Sequence, residues 1–462
     1  MNKKNYSRRQ FLGQASCAAV TATPLLSTLF NLKMAGNLAA APSEDYRALV
    51  CIFLAGGNDS YNVLVPTDTP SYAGYRAARS NLAIPNESLL PLAGDQAGKT
   101  FGLHPSMPEV QSLYNSGQIA FVANVGTLVE PTTLSAFNNN SARLPVGLFS
   151  HSDQIMHWQT SVPDQRSPYG WAGRMADLLQ AENNSGTVSM NISLSGTNSF
   201  QSGQNSVSYD ITPNGNGSIL LEEYGSNPAI SAISKTAVKS LMDVEYKNLF
   251  QKTFAHINRR SFDAAESFAN AVGGVTVSTA FSSSDLSQSL KMIARTIGAR
   301  KKLGAKRQTF FVMFGGWDHH DELLNSHAAM LPVVSKAMGE FDQATQELGV
   351  RNCVTTFTSS DFARTLSSNG RGSDHAWGSC QMVMGGAVRG RQIYGTYPDL
   401  APNNPLDTGR GRLIPTVSTD EYFAELALWF GVQPSELPSL FPNIQRFYSP
   451  GSVAPIGIFR SV

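Results

Sequence analysis

Charge is scarce in this sequence. Asp, Glu, Lys and Arg make up 15% of its 462 residues, against roughly 25% in typical soluble domains. Gly, Ser, Asn and Thr fill the difference, a balance that suits an exported protein. No basic run is long enough to follow a phosphate backbone, so nucleic acid is set aside as a partner. Cysteine is scarcer still. The four, Cys17, Cys51, Cys353 and Cys380, are too widely spaced for a disulfide framework or a zinc finger. Cys51 and Cys353 fall within strand-like apolar runs, where a thiol serves as a small core side chain. A long unbroken apolar run is also missing. The stretch reaching Leu32 is diluted by Gly13, Gln14, Ser16, Thr21, Thr23, Pro24 and Thr28, whereas a spanning helix needs about 20 predominantly apolar residues. No stable membrane anchor is expected.

What stands at the N-terminus is an export pattern. Lys3 and Lys4 lead into "SRRQFLGQ" (Ser7 to Gln14), a mildly apolar segment follows, and small residues close it at Ala39, Ala40 and Ala41. Arg8-Arg9 followed by Phe11-Leu12 reads as a twin-arginine signal. The translocase of that pathway is then a transit partner, and the expected location is periplasmic or secreted. Residues 1–41 hold Lys3, Lys4, Arg8, Arg9 and Lys33 and no acid, so the remainder carries 30 basic and 34 acidic residues, a formal net charge of −4. Residues 42–462 show no repeat of fixed period and no linker, and read as one domain.

Within that domain apolar runs alternate with amphipathic stretches. Strands are expected over Ala48–Ala55, Ile119–Val125, Thr309–Phe314, Cys353–Thr358 and Gln381–Met384. Helical spacing marks Pro108–Ser116, Asp263–Val272, Asp285–Leu303 and Ala328–Leu348. Strands separated by long helices predict an α/β fold with a largely parallel central sheet and helices on both faces. The Ser-, Asn- and Gly-rich stretch Gly196–Ser218 predicts loops and small antiparallel strands, and Thr419 or Asp420 is positioned to cap a helix running to Phe430.

Three of the strands share an ending. Val50–Ala55 runs through Gly56-Gly57-Asn58 to Asp59, Phe310–Phe314 through Gly315-Gly316-Trp317 to Asp318, and Cys353–Thr358 through Ser359-Ser360 to Asp361. In open parallel sheets ligands bind beyond the carboxyl ends of the strands. Carboxylates gathered there repel one another unless protons or a cation intervene. Imidazoles are close in sequence: His319 and His320 follow Asp318, and Asp374-His375 lies in "GSDHAWGS". Carboxylate and imidazole donors together suit zinc, manganese or iron. Each motif alone also has an ordinary reading. "GGND" can be a hairpin turn with Tyr61–Val65 as the return strand, and an aspartate after a strand often caps a helix. The recurrence across three junctions favours the metal centre. His104 and His157 are assigned to packing or loop hydrogen bonds.

The ordered set "FLAGGNDSYNVLVP", "SHSDQ", "GGWDHH", "SDFART", "GSDHAWGS" and "PTVSTDEYFAELALWFGV" resembles a large bacterial family known as domain of unknown function 1501, over nearly all of residues 42–462. That family is similar to the alkaline phosphatase and sulfatase superfamily. The resemblance implies an alkaline phosphatase-like fold and metal-dependent hydrolysis. Carried over by residue, it implies Asp59, Asp318, His320, Asp361 and His375 as metal ligands. Zinc is the first expectation for the cation, with manganese, calcium or iron as alternatives. Phe362 stands where the phosphatases follow the aspartate with a ligand histidine, which removes one donor from a second metal site. The superfamily's nucleophile sits at a helix start after the second strand, which points to Ser150 or Ser152, with His151 as base or ligand. A serine cap of an ordinary helix explains that stretch equally well. Arg364 or Arg371 would hold an anionic ester. The expected activity is therefore hydrolysis of phosphate or sulfate esters by an exported enzyme. The other reading is a non-catalytic export or cell-surface assembly protein on the same fold.

Overall fold

Every position from Ala48 to Leu54 is apolar, so a strand built from them must be covered on both faces. In the computed structural model, which describes residues 46–94, 96, 98–183, 188–218, 228–449, 451 and 453–460, that strand lies at the middle of the main sheet. The expected export signal, 1–41, lies outside the described residues. From edge to edge the sheet runs Ile393–Tyr394, Ile119–Gly126, Ser379–Met384, Val354–Ser360, Arg47–Ala55, Arg307–Gly315, Asn191–Ser193 and Tyr209–Asp210. Val417–Ser418 continues the sheet beside Ile119–Gly126. Only Ser379–Met384 runs against its neighbours; the other pairings are parallel.

Successive side chains of a strand point to opposite faces, and the central strand divides its apolar residues accordingly. Ala48, Val50, Ile52 and Leu54 join the core under the helices Pro108–Asn115, Asp285–Gly298 and Leu323–Glu347. Leu49, Cys51 and Phe53 join the opposite core, under Trp171–Leu179, Thr419–Phe430 and Leu437–Leu440. The result is the expected α/β architecture, mostly parallel, with helices on both faces.

Several details differ from the sequence reading. Residues Tyr61–Val65 do not return as a hairpin. Ser60–Val63 is a short helix, and Leu64–Pro66 enters a separate antiparallel sheet with Phe101–Leu103 and Leu90–Pro91. The strand in the Gly196–Ser218 stretch, Tyr209–Asp210, pairs parallel rather than antiparallel, because it extends the edge beside Asn191–Ser193. The C-terminal helix is capped by Ser418 rather than Thr419 or Asp420. Its hydroxyl accepts from Glu421 N–H, and the Glu421 carboxylate accepts from Ser418 N–H, a reciprocal capping box. The helix expected at Asp263–Val272 begins fourteen residues earlier, at Leu249.

The parallel strands Arg47–Ala55, Arg307–Gly315 and Val354–Ser360 place their carboxyl ends at one rim. The antiparallel strand Ser379–Met384 begins at that same rim. Its preceding loop therefore delivers Asp374 and His375 to the ends of the other strands.

Candidate metal centre

The glycines after the first strand exist because backbone and ring approach them closely. Gly56 has φ +118°, and a Cβ there would stand 2.6 Å from Asp318 N. Gly57 has φ +86°, and its Cβ would stand 2.6 Å from the Phe362 ring. With no side chain in the way, Gly56 N–H donates to Asp361 Oδ1 at 3.0 Å. Strand one is thereby locked to the end of the strand Val354–Ser360.

Three imidazoles meet at this rim, and each has its Nδ1 committed. His151 Nδ1–H donates to Asp361 Oδ2 at 2.6 Å. His375 Nδ1–H donates to Phe149 O at 2.7 Å. His320 Nδ1–H donates to Asp374 Oδ1 at 2.9 Å. An acceptor at Nδ1 fixes the tautomer and leaves Nε2 bare in a neutral ring. The bare nitrogens converge on Asp318: Oδ1 lies 3.1 Å from His320 Nε2, 3.4 Å from His151 Nε2 and 3.5 Å from His375 Nε2. His320 Nε2 and His375 Nε2 are 3.0 Å apart.

This arrangement fits a divalent cation. Lone pairs facing one another and a carboxylate oxygen need a proton or a cation among them. His151 Nε2 is buried without a hydrogen-bond partner. Donors placed tetrahedrally at about 2.0–2.1 Å from zinc stand about 3.3 Å from one another, and the separations just given straddle that figure. The donor atoms of His151, Asp318 and His375 all lie within 4.8 Å of one another. His320 adjoins it through Asp318 and His375.

The electrostatics favour an ionised carboxylate and a neutral His375. Burial pushes Asp318 upward, but the bond and charge of Arg364 outweigh it and hold its carboxyl below the usual range. Burial lowers His375, against the pull of its bond to Phe149 O. The hydrogen bond that His151 donates to the Asp361 carboxylate raises its pKa more than burial lowers it. Burial opposes ionisation of Asp374 too, yet bonds from His320, Arg410 and Asn369 hold it down at about 2.

The expected site residues divide into groups. Asp318, His320 and His375 come together with His151. Asp361 is adjacent but faces the Nδ1 side of His151, so it orients a donor. Asp59 is fully buried and ion-paired with Arg79, whose other nitrogens bond Asn62 Oδ1 at 3.1 Å and Thr365 O at 2.8 Å. It is not joined to the imidazoles. Arg364 is buried and donates to Gly57 O at 2.9 Å, to Ser373 O at 3.0 Å and to Asp318, so it braces the rim. Arg371 is exposed and pairs with Asp321 at 2.8 Å and Glu322 at 2.7 Å. Ser150 stands at the N-cap position of the helix His151–Thr160 but its side chain makes no capping hydrogen bond, its Oγ is 3.2 Å from that of Ser152, and neither hydroxyl bonds a site imidazole. His319 turns inward against Trp317 and His327. His157 is buried with Nε2 on Val146 O at 2.8 Å, and His104 is buried with Nδ1 accepting from Ser106 N–H.

Phe149, Arg79 and Arg410 were not found from sequence. Phe149 acts through its carbonyl, which no residue type reveals; the φ of +76° that aims it is uncommon for a bulky residue. Arg79 ends a helix far from any motif. Arg410 bonds Asp374 Oδ2 at 2.6 Å from a loop in which Gly409, Arg410 and Gly411 all have positive φ. The run "GRGR" was the available signal. Phe362, in place of a histidine, stacks on His375 with centroids 4.5 Å apart and lies 4.8 Å from His151. It walls the cluster with hydrocarbon.

Solved structures resembling this chain include the PsFucS1 sulfatase from Pseudoalteromonas sp., 10% identical over 87% of this chain and 70% of that one, with a TM-score of 0.34. The lipoteichoic acid synthase LtaP from Listeria monocytogenes is 8% identical over 78% and 68%, with a TM-score of 0.29. A mutant of the alkaline phosphatase PafA is 11% identical over 70% and 64%, with a TM-score of 0.28. Likenesses this distant carry no argument about chemistry. Among curated proteins none matches the sequence. The family model described as Protein of unknown function (DUF1501) matches residues 46–417, most of the chain, and the protein belongs to that family.

Proposed function

We propose that the protein is a divalent-metal-dependent hydrolase of phosphate or sulfate esters. The observation that carries the metal is the convergence of three Nε2 atoms, each with its Nδ1 committed elsewhere, on one oxygen of Asp318. His151, Asp318 and His375 would hold the cation, with His320 beside them. Imidazole-rich donors fit zinc, iron or manganese better than calcium, which takes oxygen ligands. Bound there, a divalent cation supplies Lewis acidity toward an ester oxygen and toward a hydroxyl or water. The chain's own part is orientation. Asp361, Asp374 and the Phe149 carbonyl fix the rings, and Phe362 excludes water from one side.

Ser150 is the hydroxyl assigned to attack. It lies between Phe149, which orients His375, and His151, and it stands at a helix N-terminus that favours an anionic group. Ser152 is exposed one residue further on. Export through the twin-arginine pathway completes the proposal, supported by the Arg8-Arg9 pattern.

Metal analysis of the purified protein, joined to a screen of aryl phosphates and sulfates with and without chelator, tests this reading. About one equivalent of metal and chelator-sensitive turnover are expected, with Ser150→Ala reducing kcat by about 100-fold or more and Ser152→Ala changing it by less than about threefold. Folded protein that takes up no zinc, manganese or iron would overturn the metal centre. Metal-loaded protein that turns over neither ester class would favour the non-catalytic assembly reading. That second reading has one observation behind it: neither serine hydroxyl bonds an imidazole.

A further inference from the structure

Two of the three imidazoles at the rim take their acceptors from residues that one short loop grips. The loop is Gly409–Arg412, the "GRGR" run. Gly409, Arg410 and Gly411 have φ of +113°, +65° and +73°, and the left-handed region is uncommon for a residue other than glycine. Such a conformation persists only where the surroundings impose it, and here they do so from both sides. Asp407 Oδ1 accepts from Gly409 N–H at 2.8 Å and from Gly411 N–H at 2.7 Å. Arg412 O accepts from Thr408 N–H at 3.0 Å and from the Thr408 hydroxyl at 2.9 Å. Arg410 O accepts from Ser367 N–H at 3.1 Å, and a Cβ on Gly411 would stand 2.3 Å from that of Leu366. The loop is built to hold its two arginines in place.

Each arginine bonds a different acceptor pair. Arg410 bonds Asp374 Oδ2 at 2.6 Å, while Asp374 Oδ1 accepts from His320 Nδ1–H. With one carboxylate oxygen fixed by the guanidinium, the other stays aimed at the ring; Asn369 Nδ2 supports it from 3.3 Å. Arg412 is half-buried and touches both partners of the second hydrogen bond. Its Nε–H donates to His375 O at 3.1 Å, and its guanidinium lies over the Phe149 ring, 4.9 Å from the centroid. Phe149 is the residue whose carbonyl accepts from His375 Nδ1–H, at a φ of +76°. The Phe149 ring also packs beside Leu128, Trp377 and Ile414, and the His375 backbone pairs with Arg364. Arg412 adds a tie between the two. Groups that orient an imidazole from behind matter to a metal nearly as much as the ring itself.

We propose that Arg412 and Arg410 are positioning residues of the imidazole cluster: Arg412 holds His375 through Phe149, Arg410 holds His320 through Asp374, and one loop thereby aims two bare Nε2 atoms. The proposal rests on the metal-dependent reading above and adds the device that keeps its donors aligned. The clip spans four residues, so a displaced loop would release both rings together.

Zinc affinity by chelator competition, together with crystal structures of the metal-free proteins, tests the proposal. Arg412→Met is expected to weaken zinc binding by about tenfold and Arg410→Met by about fivefold. In an Asp374→Ala background Arg410→Met should cost less than about twofold further, because its route to His320 is already gone, whereas Arg412→Met should keep its full cost. A general loss of stability would instead weaken binding in every background alike. The crystal structures read the rings directly: His375 is expected to leave Phe149 O in Arg412→Met and to keep it in Arg410→Met, and His320 to leave Asp374 only in Arg410→Met. Should Arg412→Met not fold, Arg412→Lys decides on the same terms; it keeps a cation but loses the flat stack on Phe149, and a loss of about fivefold is expected. Rings that stay on their acceptors in the variants, wild-type zinc affinity in them, or equal costs in both backgrounds overturn the proposal. Wild type that takes up no zinc overturns the metal-dependent reading instead, and the crystal structures then still decide whether the arginines hold the rings.

Discussion

A histidine binds a cation through the ring nitrogen that its hydrogen bonds leave bare, and here that choice is made three times by the surroundings. Asp361 makes it for His151. Replacing Asp361 by Asn keeps an acceptor for Nδ1–H but removes the charge that raises the basicity of the ring. Metal affinity is expected to fall by about 10–100-fold in Asp361→Asn, read by chelator competition, while the fold is retained. Gly57 makes a different demand. Its φ of +86° is uncomfortable for any L side chain, and a methyl would press on the Phe362 ring from 2.6 Å. Gly57→Ala is expected to cost roughly 2–3 kcal/mol in denaturant unfolding and to disturb the ring that walls His151 and His375. At this scale the sequence exposes residue types but not their partners. Asp318 and Asp361 have the same place after a strand, yet one faces the bare nitrogens and the other a protonated one. Asp59 shares that place as well, but Arg79 claims it, and nothing in residues 56–60 announces a cation arriving from a helix.

Elements were more legible than residues because their signals are periodic and redundant. The buried strands announce themselves as unbroken apolar runs, and Ala48–Leu54 needed no further clue. The direction of Ser379–Met384 was hidden, since six buried residues read alike in either sense; only the pairing with Val354–Ser360 decides it. The C-terminal helix shows how a functional-looking acid can be structural. Asp420 lies in its first turn, fully buried, with Oδ1 accepting from Ser161 Oγ at 2.6 Å and Oδ2 unpartnered. Burial pushes its pKa up to about 7, against the bond from Ser161 and the charge of Arg174. The folded protein therefore binds more protons than the unfolded chain between about pH 4 and 7, and stability falls as pH rises through that window. Below it both states are protonated and the penalty vanishes. Asp420→Asn is expected to add up to roughly 4 kcal/mol near pH 8 and little near pH 4. Melting curves of both proteins at those two pH values check the sign: a constant difference, or one that grows on acidification, rules this account out.

At the scale of the whole molecule, the centre gathers Phe149 and His151, Asp318 and His320, Asp361, and Asp374 and His375 from four separate stretches of chain. Unfolding scatters them, so a cation that needs His151, Asp318 and His375 together binds the native state and not the random chain. Linkage then converts affinity into stability. At a free metal concentration about 100 times Kd the gain is about 2.7 kcal/mol. For a chain of this size, with roughly 2.1 cal/mol/K of unfolding entropy per residue, that is an upward shift in Tm of about 3 °C. Zinc added to chelator-treated protein is expected to produce such a shift, and His375→Ala to abolish it without lowering the Tm of the metal-free protein to a comparable degree. A zinc response that survives loss of His375 would place the cation elsewhere.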